Sequence, residues 1–389
     1  MAKKINILSL FDGMSCGQMA LKELGITPNI YYASEIDKHA IAQTQLNFPN
    51  TIQLGSVIDV DVKKLQPINL LIGGSPCQSF SFAGERKGMS TKCEIEITKL
   101  EQYLELKEQG FEFEGQSYLF WEYMRILTDI RKYNPDVKFL LENVEMGAKW
   151  ERVLSEAIGV YGVHINSALV SAQNRARIYW TNIRTKQVGL FGELHSDIPQ
   201  PEDRGIVLKD ILETEVDDKY YLSDKLINTL QTRPYEHLNM KPRDISLKSS
   251  CLCAGMHKNR SNDNYIVQLN SSKESGGKQP YQQNRISDSE GISPALCANR
   301  ADLLIQTPIK ELTKNQLKKF NPNIESDKAN CITLAQGRAG SSSEYMDMVS
   351  KIANITNHIR KLTPLECARL QTIPKWYKWE CSDTQAYRM

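Results

Sequence analysis

Ile5-Asn6-Ile7-Leu8-Ser9-Leu10-Phe11-Asp12-Gly13-Met14-Ser15-Cys16-Gly17 is the stretch that decides the fold. Ile5 to Phe11 is an apolar run of strand length, and Asp12 ends it far short of the 18 or so residues a membrane span needs. A Gly-rich turn follows the strand. The next segment, Gln18 to Leu24, is amphipathic and stops at Gly25, a helix terminator. Ile30 to Ser34 then reads as a second strand and His39 to Leu46 as a second helix closed by Pro49. The same alternation continues outward. Strands are expected at Asn69 to Gly73, Val137 to Leu141 and Arg177 to Asn182, with a long helix from Tyr118 to Arg131. Strand–helix alternation predicts an α/β fold, a mostly parallel sheet with helices on both faces, whose ligands sit at the carboxyl ends of the strands.

Composition narrows the function classes. The 389 residues, 41% hydrophobic and 24% charged, suffice for a large domain plus a smaller one. A net charge of +2 means that binding to a polyanion needs a local basic patch rather than overall basicity. The nine cysteines are scattered and odd in number, which fits reduced thiols in a cytoplasmic protein. Cys251-x-Cys253 is the one close pair. It lacks the second pair or histidines of a zinc site, so no metal is expected.

Two segments interrupt the pattern. Cys93 to Glu114 is acid-rich and reads as a solvated helical insertion. From about Arg184 to Asn357 the apolar runs thin and Ser, Asn, Gln, Gly and Lys rise. A short motif recurs there: Ser249-Ser250-Cys251-Leu252-Cys253-Ala254, Ser293-Pro294-Ala295-Leu296-Cys297-Ala298 and Ala329-Asn330-Cys331-Ile332-Thr333-Leu334. Basic residues trail each copy: Lys258 and Arg260, Arg300, Arg338. These read as small strand–turn units presenting polar loops, compatible with a phosphate-facing surface or with a decorated β-rich domain that binds no nucleic acid. The helical pattern returns with Leu362-Thr363-Pro364-Leu365-Glu366. Thr363 is set as N-cap, Pro364 opens the helix and Glu366 completes a capping box.

Four places carry chemistry. Gly73-Gly74-Ser75-Pro76-Cys77 sets a thiol at a strand's carboxyl end, where a lowered pKa makes it a nucleophile and apolar burial makes it inert. Glu142, in Leu141-Glu142-Asn143-Val144, ends a hydrophobic strand as either a proton donor or a helix cap. Arg175 and Arg177 occupy alternate positions and so share one strand face, where two guanidiniums can orient an acid or bind an anion. The turn from Phe11 to Gly17 lets a cofactor approach the backbone, although it is not the dinucleotide G-x-G-x-x-G. Glu35, ending the second strand, can reach a ribose.

In this order, Pro-Cys-Gln at 76–78, Glu-Asn-Val at 142–144, Gln-x-Arg-x-Arg at 173–177 and Leu-Thr-Pro-x-Glu-x-x-Arg-Leu-Gln at 362–371 resemble the C5-cytosine DNA methyltransferases. Asp12-Gly13 with Gly17, and Gly73 to Cys77, look nearest to the DNMT3-like branch and its phage and bacterial relatives. The resemblance spans about 1–184 and 358–389. It implies a Rossmann-like catalytic domain over 1–184, an inserted, smaller β-rich target-recognition domain over 185–357, and a return to the catalytic domain at 358–389.

It further implies S-adenosylmethionine as methyl donor, Cys77 as nucleophile, Glu142 as its acid partner, and Arg175 and Arg177 in the active site. Phe11, Asp12, Gly13, Ser15, Cys16, Gly17, Glu35, Ile36, Ser56 and Pro76 match the cofactor pocket. The implied partner is double-stranded DNA with a flipped cytosine, in a bacterial cytoplasm or a phage-infected host, for restriction partnership or phage self-protection. The sequence departs from the family at two places. The usual Gly-Asp after the second helix reads Gly55-Ser56, with Ser56 or Asp59 as substitutes, and no Gly-Asn-x-Val segment follows Tyr387. The second departure predicts exposed apolar surface on the first helix, at Met19 and Leu21, and a complementing chain or tail to cover it. Two rival readings stand beside this one: a tRNA cytosine methyltransferase, and a silent or split homologue.

Overall fold

A computed structural model describes residues 5–76, 89–231, 243, 245–252, 264–267, 286–287, 304–305 and 359–387. The chain divides into two compact units. One joins Met1–Leu212, Ile245–Lys258 and Pro364–Met389, and the other joins Glu213–Asp244 and Asn259–Thr363.

The first unit is built on a seven-stranded sheet. Its strands are β1 (Asn6–Leu10), β2 (Ile30–Ser34), β3 (Ile52–Gln53), β4 (Leu70–Gly74), β5 (Lys138–Val144), β6 (Val163–Asn166) and β7 (Ala176–Thr181). Spatial order is β3-β2-β1-β4-β5-β7-β6. The first five strands in that order are parallel, and β7 runs antiparallel to both β5 and β6. Chain order reverses between β1 and β4, so a crevice opens at their carboxyl ends, where ligands of such sheets bind. Because β7 is antiparallel, its first residues reach that same edge: Arg177 lies opposite Val144.

The helices of this unit are α1 (Cys16–Glu23), α2 (Lys38–Asn47), α3 (Leu100–Glu108), α4 (Phe120–Tyr133), α5 (Ala148–Ile158), and, after the second unit, Pro364–Leu370 and Asp383–Ala386. Helix α4 shows why the pattern holds: Phe120, Trp121, Ile126, Leu127 and Ile130 bury their side chains almost completely against Leu71, Phe139 and Leu141 of the sheet. Each such side chain contributes about 1.5–3 kcal/mol. Where α1 crosses the sheet, a Cβ at Gly17 would stand 2.3 Å from Ile72 Cδ1 and 2.8 Å from the Tyr31 hydroxyl, so those side-chain ends would have to shift to admit any other residue.

Two expectations change. The acidic insertion is docked rather than solvated. Glu94, Glu96, Glu101, Glu105, Glu108 and Glu112 do face water, but Ile97, Tyr103 and Leu106 are buried. Tyr103 donates to the fully buried Glu122 of α4 at 2.5 Å, and Lys107 and Arg125 bind the same carboxylate at 2.6 Å each. Removing one partner of a buried ion cluster costs about 3–5 kcal/mol, so this junction is firm. Periodicity alone showed only the wet face.

The second correction concerns α1. Met19 and Leu21 are 4% and 8% exposed, not bare. Leu21 packs with Ile7, Tyr31 and Ala33, and Met19 joins Met14 and Tyr377. The covering segment comes from this chain's own residues 373–379. Tyr377 donates to Met14 O at 2.9 Å, Trp376 Nε1 donates to Glu23 at 2.6 Å, and the Lys22 ammonium lies 3.5 Å from the Trp376 ring centre.

In the second unit, Tyr265–Val267 pairs antiparallel with Ile359–Lys361. Leu222, Ile227, Tyr265 and Ile359 form a small core there.

Candidate active site

The turns at the carboxyl ends of the strands line the crevice. After β1 the backbone enters the left-handed region at alternate residues: φ is +56° at Phe11, +58° at Gly13 and +67° at Ser15. Gly13 takes this conformation freely; Phe11 and Ser15 are strained by it, and such strain concentrates at functional turns. The turn is tied down from both sides. Asp12 N donates to Ser34 O at 3.2 Å, and Tyr31 donates its hydroxyl to Asp12 Oδ1 at 2.9 Å. Burial outweighs the hydroxyls of Ser9, Ser15 and Tyr31 and lifts the Asp12 carboxyl above its ordinary range.

Glu35 sits one residue past β2. Its Oε2 accepts from Gly13 N at 2.8 Å, and its Oε1 from Ile36 N at 2.7 Å and Asp37 N at 2.9 Å. The carboxylate is therefore fixed by three backbone donors, and its free lone pairs can still accept from a ligand hydroxyl. Beside it, Ile36 is 74% exposed, an apolar surface large enough to cover a planar base. Asp37 caps α2 through His39 N and Ala40 N, which aims that helix's first turn at the crevice.

The other candidates on this side serve the backbone. Ser15 is fully buried and accepts from Gln18 Nε2 at 2.9 Å. Cys16 opens α1 with its side chain exposed. Gly17 provides the helix–sheet contact. Ser56 begins a short 3-10 turn after β3, accepting from Ile58 N at 3.3 Å, while Ser34 Oγ donates to Gly55 O at 2.8 Å. Asp59 closes that turn, exposed.

Across the crevice, β4 leads through Gly74-Ser75 to Pro76. Cys77 lies outside the described residues. Its approach is nonetheless held: Asn143 Nδ2 donates to Ser75 Oγ at 3.0 Å and to Ser75 O at 3.2 Å, all of it buried. Glu142 lies within β5, which continues to Val144 rather than ending at the carboxylate as expected. Arg177 Nε stands 2.9 Å from Glu142 Oε1, and Arg175 Nη2 stands 3.8 Å from the same oxygen. The Gly74 Cα faces this carboxylate so closely that a Cβ there would be 3.0 Å from Glu142 Oε2. An acid held by two guanidiniums at a water-accessible edge is oriented for a ring nitrogen or carbonyl.

Sequence reasoning placed the acid and both arginines, and the structure brings them together. It missed Asn143, although that residue sits inside the Glu-Asn-Val motif, and it missed Cys251, which lies next to the arginines only in space, and Lys248, which binds the loop before them. Lys258, Arg260, Arg300 and Arg338 lie outside the described residues, as do the second and third copies of the repeated motif. Among the described residues, no cluster of His, Cys, Asp and Glu could hold a metal ion, and no helix is long and apolar enough to cross a membrane.

Comparison with known proteins supplies the family. The model of the C-5 cytosine-specific DNA methylases matches residues 5–102 and 105–389. The orphan methyltransferase M.SPRI of Bacillus phage SPR is 30% identical over 265 residues, covering 58% of this chain and 54% of that protein. M.Rho11sI of Bacillus phage rho11s is 29% identical, with 47% of its length covered, so the chain spans about half the length of these phage relatives. The type II methyltransferase M.HgiCI of Herpetosiphon aurantiacus is 26% identical, covering 100% of this chain and 93% of that one. Among solved structures, a DNMT2 of Spodoptera frugiperda gives a TM-score of 0.53 at 17% identity, over 99% of this chain and 94% of that one, a likeness of fold. With the sheet order, the crevice and a family match running along nearly all its length, the chain belongs to the C-5 cytosine-specific DNA methylases.

Proposed function

We propose that this protein transfers a methyl group from S-adenosylmethionine to C5 of cytosine within a specific double-stranded DNA sequence. The observation that carries the reading is the Glu142–Arg175–Arg177 cluster, set beside the Gly74-Ser75-Pro76 turn that leads to Cys77. Phe11, Gly13, Glu35 and Ile36 would hold the cofactor, with Asp12, Ser15, Cys16, Gly17, Ser56 and Pro76 shaping the walls. The fit is chemical. Glu35 offers a fixed acceptor to ribose hydroxyls, and Ile36 offers an apolar face to the adenine. Bound there, S-adenosylmethionine would supply an electrophilic methyl group.

The chain's own residues prepare the base. The Cys77 thiolate forms a bond to C6 of the cytosine while Glu142 protonates or hydrogen-bonds N3, so electron density moves to C5. Arg175 and Arg177 keep the Glu142 carboxyl aimed at the ring. After methylation, loss of the C5 proton expels Cys77 and restores the aromatic ring. A stacked cytosine is out of reach of these groups, so the base must leave the duplex. Sequence reading belongs, in this proposal, to the inserted region 185–357, through base-edge contacts of residues such as Lys258, Arg260, Arg300 and Arg338.

The test is covalent trapping. Duplex DNA carrying 5-fluorocytosine at the target cannot lose a C5 proton, so the protein should stay bonded to it in the presence of cofactor. Cys77→Ala should abolish the adduct. An adduct that survives in the variant refutes the nucleophile. Methyl transfer to a tRNA transcript in place of duplex DNA would replace the substrate class, and absence of cofactor binding by calorimetry would favour the silent or split homologue.

A further inference from the structure

We infer that Cys251 is a positioning residue for the Arg175–Arg177 pair, presented by a segment that Lys248 and Ser249 lock onto the catalytic unit. The inference rests on the methyl-transfer reading above. Cys251 Sγ stands 3.7 Å from Arg175 Nη1 and 4.0 Å from Arg177 Nη2. Glu142 occupies other nitrogens of the same guanidiniums, Arg175 Nη2 and Arg177 Nε. The two side chains are thus held between a carboxylate and a sulfur. The thiol donates its own proton to Leu252 O at 3.5 Å, which turns the sulfur lone pairs toward the arginines. Sulfur is a weak, neutral acceptor. It can satisfy guanidinium N–H groups without drawing their charge away from Glu142, which a carboxylate at this position would do.

The sulfur can position anything only if its own backbone is fixed, and it is. Ser249 is completely buried; its N–H donates to Ala172 O at 2.8 Å, and its carbonyl accepts from Asn174 N at 3.0 Å. The Lys248 ammonium donates to Ala168 O at 2.6 Å and Ile206 O at 2.9 Å, with Asp203 Oδ1 at 3.3 Å and Ser171 O at 3.4 Å. Upstream, Leu247 O accepts from Leu208 N and Ile245 O from Lys209 N. Lys248 and Ser249, two residues before Cys251, are thus stitched to the loop from Ala168 to Asn174 that delivers Arg175, while Ile245 and Leu247 are tied to Leu208 and Lys209. All of these residues belong to one compact unit.

Three variants test the inference: Cys251→Ala, Cys251→Ser and Cys251→Asp, each in the full chain, with kcat, KM for DNA, KM for cofactor and Tm measured. Cys251→Ala should lower kcat roughly 10-fold, the scale of a small misplacement near the chemistry. Both KM values should stay within about two-fold and Tm should hold. Cys251→Ser, whose hydroxyl also accepts N–H, should recover most of the loss. Cys251→Asp should be slower than Cys251→Ala while keeping or raising Tm, because the new carboxylate stabilises the arginines in the wrong place. A purely structural role cannot separate Tm from kcat in this direction. An active wild type whose Cys251→Ala turnover is unchanged, or whose Cys251→Asp is the faster variant, overturns the inference alone. A wild type that transfers no methyl to any duplex overturns the underlying reading and this inference with it.

Discussion

The crevice has two walls, and they are made differently. The β1–β2 wall is a backbone device. Three left-handed residues and one carboxylate held by three N–H groups define it, and most of its side chains serve only to keep the main chain in place. The β4–β5–β7 wall is a side-chain device, in which Glu142, Arg175, Arg177 and Cys251 meet through their terminal atoms while Asn143 holds Ser75 beside them. The difference matches the two tasks proposed above for them. Holding a cofactor needs shape and fixed donors, which a backbone supplies without reorganising. Moving a proton needs a titratable group whose orientation can be tuned, which only side chains supply.

The comparison makes sharp demands on mutants. The largest effect is expected for Glu142→Gln, which keeps the shape of the second wall and removes its acid. Turnover should fall roughly 100- to 10,000-fold, while calorimetry finds cofactor affinity unchanged. Weakened cofactor binding would show that the walls are not separate. Next comes Glu35→Gln on the first wall. One charged acceptor becomes neutral under three donors, so cofactor Kd should rise about 10-fold, or 1.4 kcal/mol, with a smaller change in turnover.

The smallest effect is on stability. Burial holds the Asp12 carboxyl above its ordinary value of 3.8, so ionising it at neutral pH costs the folded state free energy. The stability this group lends is present when it is protonated and is lost as pH rises through its folded pKa. Asp12→Asn should therefore raise Tm at pH 7, and the advantage should vanish as pH falls below about 3.8, where both proteins carry a neutral group. A lower Tm for the variant at pH 7 would mean that the hydrogen bonds to the carboxylate outweigh its burial.

How far the sequence could be read tracks the same division. β2 occurs at the residues its apolar run marked, and β1, β4, β5 and β7 differ by a few residues at their ends. The arginine pair was legible because strand alternation fixes which side chains share a face, and Glu142 because it follows an apolar run of strand length. The strain at Phe11 and Ser15 was not, because φ is set by the tertiary ties of Asp12 and Glu35 rather than by residue type. Nor was the burial of Met19, since Tyr377, which covers it, lies far along the chain, whereas Leu21 is buried by its near neighbours Ile7, Tyr31 and Ala33. The Lys248–Cys251 strip was hidden for that reason too. Cys251 is 76 residues from Arg175, and nothing in either local pattern points at the other.

The hydrogen bond from Tyr377 to the Met14 carbonyl spans 363 residues. Among the described residues it is the hydrogen bond of greatest sequence separation in this unit, which makes it a matter of timing as well as of stability. At about 5–20 residues per second, synthesis delivers Tyr377 roughly 20–70 s after Met14 has left the ribosome's active site. During that interval α1 has its strand neighbours, Phe48 and Thr51 to cover it, and the Met14–Met19 face waits for Tyr377. The ties of the Phe11–Ser15 turn to Tyr31, Ser34 and Glu35 are all available early, so what waits for the end of synthesis is the aromatic cover over Met14 and Met19. A nascent chain carrying β1 to β7 complete would hold its sheet together while that face of α1 still lacked its aromatic cover.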